Sequence, residues 1–277
     1  MVNWSKVTKL EEDKMLSLFA ALKEARGIDF RDYAQASLQR RIIRFCEIAK
    51  LEDESELLHK IKFDRGFVDS FINEITVNVT EMFRDPPFWT VIRDTVLPEL
   101  NKRAIINIWH AGCSVGEEVF SMAILLKEAG MLSKTRIMAS DINLDAINFA
   151  QSGISNLKNQ ELNAKNYKRF GGLASFSDYY RVEENKVFFD KELLRRVEFK
   201  KHDLTSDGFI GVFDLIICRN VFIYFNFNLQ EKVLSLFTQS LTKDSFLGIG
   251  SKESITWCKA ARFLSNVSIE DKVFRRN

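Results

Sequence analysis

The segment Ala111-Gly112-Cys113-Ser114-Val115-Gly116-Glu117-Glu118 has the residue types and spacing of a ligand-binding turn. It follows a short apolar run and opens a stretch with helical spacing. In α/β proteins ligands bind at such turns, outside the carboxyl ends of the strands. A dinucleotide fingerprint would need a glycine where Ser114 stands, and a phosphate loop would need a Gly-Lys-Ser/Thr after the turn. Glu117 and Glu118 would repel a pyrophosphate at a helix start but would suit a cation. S-adenosylmethionine, with its sulfonium and ammonium groups, is such a ligand. Asp141, which closes the next apolar run, is placed to accept hydrogen bonds from a ribose. Spacing alone leaves a second reading open, in which Gly112 serves a tight turn and the two glutamates only stabilise the helix start.

The elements that must hold these groups fall into two textures. Residues 1–85 read as helical. In 10–25, Leu18, Leu22 and Ala25 share a face. In 37–51, Leu38, Ile42, Phe45 and Ala49 form a stripe behind Ser37 as N-cap, and a third helix lies around 67–75. Pro86-Pro87 break the pattern, and 88–100 resumes it. From Ile105 onward, the short apolar runs IINIWHA, RIMASD and FDLIIC alternate with helical stretches starting at Glu117, Asn143 and Asn228. That alternation predicts a parallel sheet covered on both faces. The expected organisation is a helical domain over 1–85, a linker and connecting helix over 86–104, and an α/β domain over 105–277. FSDYYRVEENKVFF, with its turn at 183–186, reads as an antiparallel β insertion at about 165–200.

Composition narrows the function classes. Forty Lys and Arg against 38 Asp and Glu leave a net charge of +2, which argues against a nucleic-acid binder working by bulk charge. No apolar run reaches the length of a membrane span, and the charged N-terminus does not resemble a signal peptide, so a cytoplasmic protein is expected. The four cysteines and three histidines are scattered, so no metal site is expected. Asp85-Pro86-Pro87-Phe88 is close to the D-P-P-Y motif of DNA amino-group methyltransferases. There, however, the motif ends an apolar strand, and here it follows Thr80-Glu81-Met82-Phe83-Arg84; a proline break between helices is the plainer reading.

Longer strings carry a resemblance. Ile75-Thr76-Val77-Asn78-Val79-Thr80-Glu81-Met82-Phe83-Arg84-Asp85-Pro86 resembles the T-x-N-x-T-x-F-F-R-D motif of the chemotaxis receptor methyltransferases, the CheR family. Ile108 to Glu118, Ala139-Ser140-Asp141-Ile142, and Cys218-Arg219-Asn220-Val221-Phe222-Ile223-Tyr224-Phe225 follow in that family's order, and Ser37-Leu38-Gln39-Arg40-Arg41-Ile42 resembles its basic helix. The resemblance implies a Rossmann-like class I methyltransferase domain behind an all-helical one, with a small β-subdomain inserted. It implies S-adenosylmethionine as methyl donor, S-adenosylhomocysteine as product, and glutamate side chains on the helical cytoplasmic region of chemoreceptors as acceptors. By position, Asn78, Thr80, Arg84, Glu117 or Glu118, Asp141, Asp203, Leu204, Arg219 and Asn220 should line the donor pocket. The sequence departs from the family where G-E-E-P-Y-S becomes Gly116-Glu117-Glu118-Val119-Phe120-Ser121. It departs again where G-H-S-E becomes Gly250-Ser251-Lys252-Glu253, and where an asparagine becomes Asp203.

The implied chemistry needs little acid–base help, because a glutamate with a pKa of about 4.3 is already a nucleophile at neutral pH. Orientation and exclusion of water remain. Arg84 is the candidate either for aiming the incoming carboxylate or for holding the donor's own, and Tyr224 is a candidate near the reacting methyl. Arg40, Arg41 and Arg44, set opposite the apolar stripe, form an expected docking face for an acidic receptor helix. The sequence leaves two alternatives: the same fold acting on another substrate such as nucleic acid, and a non-catalytic cofactor-binding module. No membrane insertion is expected.

Overall fold

A computed structural model describes residues 4, 7, 9–76 and 80–277. Contacts divide the chain into two units, Met1–Asn78 with Ile223–Lys232, and Val79–Phe222 with Val233–Asn277. No helix among the described residues is long and apolar enough to cross a membrane.

The first unit contains α1 (Glu12–Arg26), α2 (Gln35–Ile48), α3 (Glu54–Phe63) and α4 (Arg65–Ile75). Of the stripes read from sequence, Leu18, Leu22, Leu38, Ile42 and Phe45 are buried while Ala25 and Ala49 are half-buried; Phe30 and Phe71 complete the core, and Phe45 meets Phe67 and Phe71 edge-on at 5.3 and 5.0 Å. Gly27 closes α1 in the left-handed region, where its N–H reaches Lys23 O at 2.8 Å. Ser37 does not cap α2. The helix begins two residues earlier after Ala34, which has no capping side chain and whose N–H donates to Tyr224 O at 2.7 Å. Periodicity missed α3 because its apolar face is short, yet Asp53 caps it through Glu56 N at 2.9 Å, a local signal that was present. Residues 223–226 pack here as well, with Tyr33 edge-on to Phe225 at 5.4 Å and Asn226 N bonded to Asp32 O at 2.9 Å.

The second unit is built on a seven-stranded sheet of order β6-β2-β1-β7-β8-β10-β9. Its strands are β1 (Ile106–Ala111), β2 (Thr135–Asp141), β6 (Val197–Lys201), β7 (Phe213–Cys218), β8 (Leu241–Ile249), β9 (Leu264–Ser268) and β10 (Val273–Arg276). The first five in that order are parallel, whereas β10 runs antiparallel to both β8 and β9. Every residue of β7 is buried, as a strand covered on both faces requires. The antiparallel end was not legible because β9 and β10 are short and half-exposed.

Around the sheet lie α5 (Pro86–Val91), α6 (Leu97–Leu100), α7 (Glu117–Glu128), α8 (Leu144–Gln151), α9 (Gln160–Phe170), α10 (Lys191–Leu194) and α11 (Phe227–Ser240). A π turn over Ile92–Val96 joins α5 to α6 and carries the helix past Pro98, which has no N–H to give. A separate antiparallel sheet of order β3-β5-β4 comprises β3 (Ile154–Asn156), β4 (Tyr180–Glu183) and β5 (Lys186–Phe189). The hairpin read around 183–186 is therefore present. The small sheet spans 154–189, and residues 197–201 form an edge strand of the large one, so the 165–200 bounds shift toward the N-terminus.

Candidate functional site

The glycine turn is shaped by close approach. A side chain on Gly112 (φ 77°) would lie 2.6 Å from Val221 Cγ2, and one on Gly116 (φ 90°) 2.8 Å from Ala150 Cβ. Both positions therefore demand glycine for conformation and for space. Gly112 N and Cys113 N donate to Ser140 O at 2.8 and 2.9 Å, which fastens the turn to the end of β2. Asp141 closes that strand, accepting from Ser114 N at 2.8 Å on one carboxylate oxygen and from Asn143 N at 2.9 Å on the other. The Ile142 amide bonds the same carboxylate, so three amides leave it room for one further donor. Burial nevertheless raises the Asp141 pKa, against the pull of these amides.

The two glutamates that open α7 have separate environments. Glu118 accepts from His110 Nδ1 at 2.9 Å and from Arg219 Nη1 at 3.4 Å. Burial pushes its pKa up, but the His110 and Arg219 interactions outweigh that, and the net shift is downward. Glu117 faces the small sheet, where Ser155 Oγ and Asn159 Nδ2 each donate to Oε1 at 3.2 Å. It is 2% exposed, its Oε2 is buried with no hydrogen-bond partner at normal distance among the described residues, and burial raises its pKa to about 7 against the pull of Asn159, Ser155 and Asn163.

Residues 80–85 form a strap locked at both ends of Arg84. Met82 N donates to Asn163 Oδ1 at 3.0 Å, Asn166 Nδ2 donates to Met82 O at 3.1 Å, and Phe83 N donates to Ser121 Oγ at 2.9 Å. Phe83 is wholly buried and stacks on Phe170 at 5.1 Å. Phe83 and Asp85 both adopt left-handed backbone, at φ 50° and 53°. Arg84 O accepts from Trp89 Nε1 and Arg219 Nη2, each at 3.1 Å. Among the described residues the Arg84 guanidinium makes no hydrogen bond or ion pair, so a half-buried cation stands on a rigid backbone, free to take an anion. Asp85 Oδ2 accepts from Arg219 Nη2 at 2.7 Å and Ser251 Oγ at 3.1 Å. The segment 85–88 therefore starts a helix, with Pro86 in its first turn, and ends no strand.

Arg219 ties these pieces together. It is 7% exposed, lies 4.2 Å over the Phe88 ring, and spends its guanidinium on Asp85, Glu118 and Arg84 O. Its side chain joins strap, helix and strand. Asn220 follows in left-handed backbone (φ 62°), its N–H donating to Glu253 Oε2 at 3.1 Å. Asp203 accepts from Thr205 N at 2.7 Å and Ser206 Oγ at 3.1 Å, so its carboxylate builds the turn that presents Leu204. Thr80 belongs to the strap, whereas Asn78 lies outside the described residues. Ser121, Asn163, Asn166 and His110 were not singled out from sequence, since isolated Ser, Asn and His carry no signal until their partners are known.

Tyr224 belongs to the helical unit by its contacts. The Arg41 guanidinium lies 4.9 Å from its ring centroid and donates to Ile75 O. Arg41 is half-buried, and burial lowers its pKa, so it does not share the exposed face of Arg40 and Arg44 expected of all three.

Among the described residues, an unpartnered carboxylate oxygen on Glu117, a remaining acceptor position on Asp141 and an unpaired guanidinium on Arg84 suit a ligand carrying an ammonium, a ribose hydroxyl and a carboxylate. S-adenosylmethionine has all three. Residues 78–272 match the family described as CheR methyltransferase, SAM binding domain, and residues 14–76 match its all-alpha domain. A Pseudomonas putida protein carrying the name methyltransferase Cher3 is 37% identical over 260 residues, covering 94% of this chain and 95% of that protein. The chemotaxis protein methyltransferase of Listeria innocua is 31% identical, covering 90% of this chain and 92% of that protein. Chemotaxis protein methyltransferase 1 of Vibrio cholerae is also 31% identical, covering 85% and 86%.

Proposed function

This chain belongs to the CheR family of S-adenosylmethionine-dependent methyltransferases, and from that premise we propose that it forms methyl esters on glutamate side chains in the cytoplasmic helical region of chemoreceptors. The observation that carries the reading is the free Arg84 guanidinium held on a locked strap in the unit that also holds the Gly112 turn and Asp141.

Bound S-adenosylmethionine supplies an electrophilic methyl on a sulfonium. The acceptor carboxylate forms the new oxygen–carbon bond as the carbon–sulfur bond breaks with its electron pair on sulfur. No proton moves, so the chain needs no general base. The reacting carboxylate loses its negative charge on the way to the transition state. A cation bonded to it would therefore favour the ground state and slow the step. For that reason we assign Arg84 to the donor's own carboxylate, with Asp141 on the ribose and Glu117 on the ammonium. Leu204 would then pack on the base, and Gly112 and the Asn220 backbone would leave room for the donor.

Methyl-labelled donor incubated with a chemoreceptor cytoplasmic fragment should label the fragment, and mild base should release the label as methanol. A base-resistant product, or labelling of duplex DNA in place of the receptor, would replace this reading with that of an amino-group methyltransferase.

A further inference from the structure

His110 stands near the end of β1 with 0% exposure. A polar ring so placed must find its partners inside the protein. Its Nδ1 lies 2.9 Å from Glu118 Oε1. The Glu118 carboxyl is held below its usual range and so accepts, which means that Nδ1 carries the hydrogen whether the ring is neutral or charged. Nε2 is buried with no hydrogen-bond partner among the described residues, so the bond to Glu118 is the ring's one polar commitment there.

From Glu118 the contacts run outward to the strap. Its other oxygen, Oε2, accepts from Arg219 Nη1 at 3.4 Å, and Arg219 Nη2 donates to Arg84 O at 3.1 Å and to Asp85 Oδ2 at 2.7 Å. The link to Glu118 is the longest of the three, so Glu118 keeps its share of Arg219 only while its carboxylate stays turned toward it. His110 pins that carboxylate by the opposite oxygen. The guanidinium is a rigid planar fork, so a shift at Nη1 is carried to Nη2 and to the carbonyl that Nη2 holds. We propose that His110 is a positioning residue that sets the Arg84 guanidinium through Glu118 and Arg219, and with it the affinity for the carboxylate of the methyl donor. This rests on the assignment of Arg84 to that carboxylate and adds the residue that enforces its placement.

The test is calorimetry of the full chain with two ligands, S-adenosylhomocysteine and its decarboxylated form, which keeps the ammonium, ribose and base. The wild-type chain should bind the first about 30-fold or more tightly, the preference expected of Arg84 on a carboxylate. His110→Leu and His110→Asn give side chains of nearly the same shape, of which only asparagine can donate to Glu118. Leucine removes a hydrogen bond to a charged group and should reduce the preference about tenfold, with the decarboxylated ligand bound as before. Asparagine should keep the preference, and an equal loss with both substitutions would overturn the proposal in favour of ring packing. A His110→Leu chain with the wild-type preference, or one that binds both ligands more weakly by the same factor, overturns the role of His110 and leaves that of Arg84 standing. A wild-type chain with no preference overturns both. Should His110→Leu not fold, Glu118→Gln breaks the next link, and an undiminished preference in that chain overturns the proposal equally.

Discussion

Arg84 and Glu117 show how a residue's surroundings decide what it does. The Arg84 backbone is held by two donors to its carbonyl while its guanidinium has no partner among the described residues. Losing a buried charge-assisted contact costs about 2–5 kcal/mol. Arg84→Ala is therefore expected to raise the S-adenosylhomocysteine Kd by about 30-fold or more and to abolish measurable transfer. Unchanged turnover would remove Arg84 from the site. Glu117 has its pKa raised from 4.5 to about 7 by burial. A carboxyl with a raised folded-state pKa contributes its full stability below its unfolded pKa and loses it as pH rises through the folded one. Between pH 5 and 8 the wild-type protein should lose about 2–3 kcal/mol of stability that Glu117→Gln does not lose. Urea unfolding of both proteins at the two pH values measures this, and parallel pH dependences would refute the shift.

At the scale of elements, the strap depends on a helix distant in sequence. Asn163 and Asn166 are 0% and 4% exposed on α9, and they satisfy both backbone groups of Met82. Leaving those buried groups unpaired costs about 1–3 kcal/mol each. Asn163→Ala and Asn166→Ala should therefore weaken S-adenosylhomocysteine binding by about tenfold in calorimetry, at temperatures well below unfolding. A lower Tm with unaltered affinity would make the two asparagines purely structural. Strands β1, β2 and β7 and helices α1, α2 and α4 were legible because continuous apolar runs and helical stripes are local signals. The start of α2 was not, since Ala34 is fixed by the carbonyl of Tyr224, 190 positions away in the chain. Helix α3 announces itself by a cap rather than by a stripe. The antiparallel end of the large sheet depends on pairing partners that no local pattern names.

For the molecule as a whole, a net charge of +2 conceals local separation. Arg40 and Arg44 are exposed one turn apart on α2, whereas Arg41 turns inward to Tyr224 and Ile75 O. If the exposed pair docks an acidic receptor helix, Arg40→Glu with Arg44→Glu should raise KM for a receptor fragment about tenfold, with the penalty shrinking at high salt and donor affinity unchanged. Constant KM at low salt would end the docking idea. The sequence by itself determined the two textures, the inserted hairpin, the glycine turn and the family, because apolar periodicity, steric demand for glycine and long motif strings are properties of neighbouring residues. Only the tertiary structure decided which charges are committed. It turned Glu118 toward His110 and Arg219, spent Arg219 on Asp85, and left Arg84 without an ion partner among the described residues. An ion pair depends on distances across the fold, and spacing along the chain does not set them.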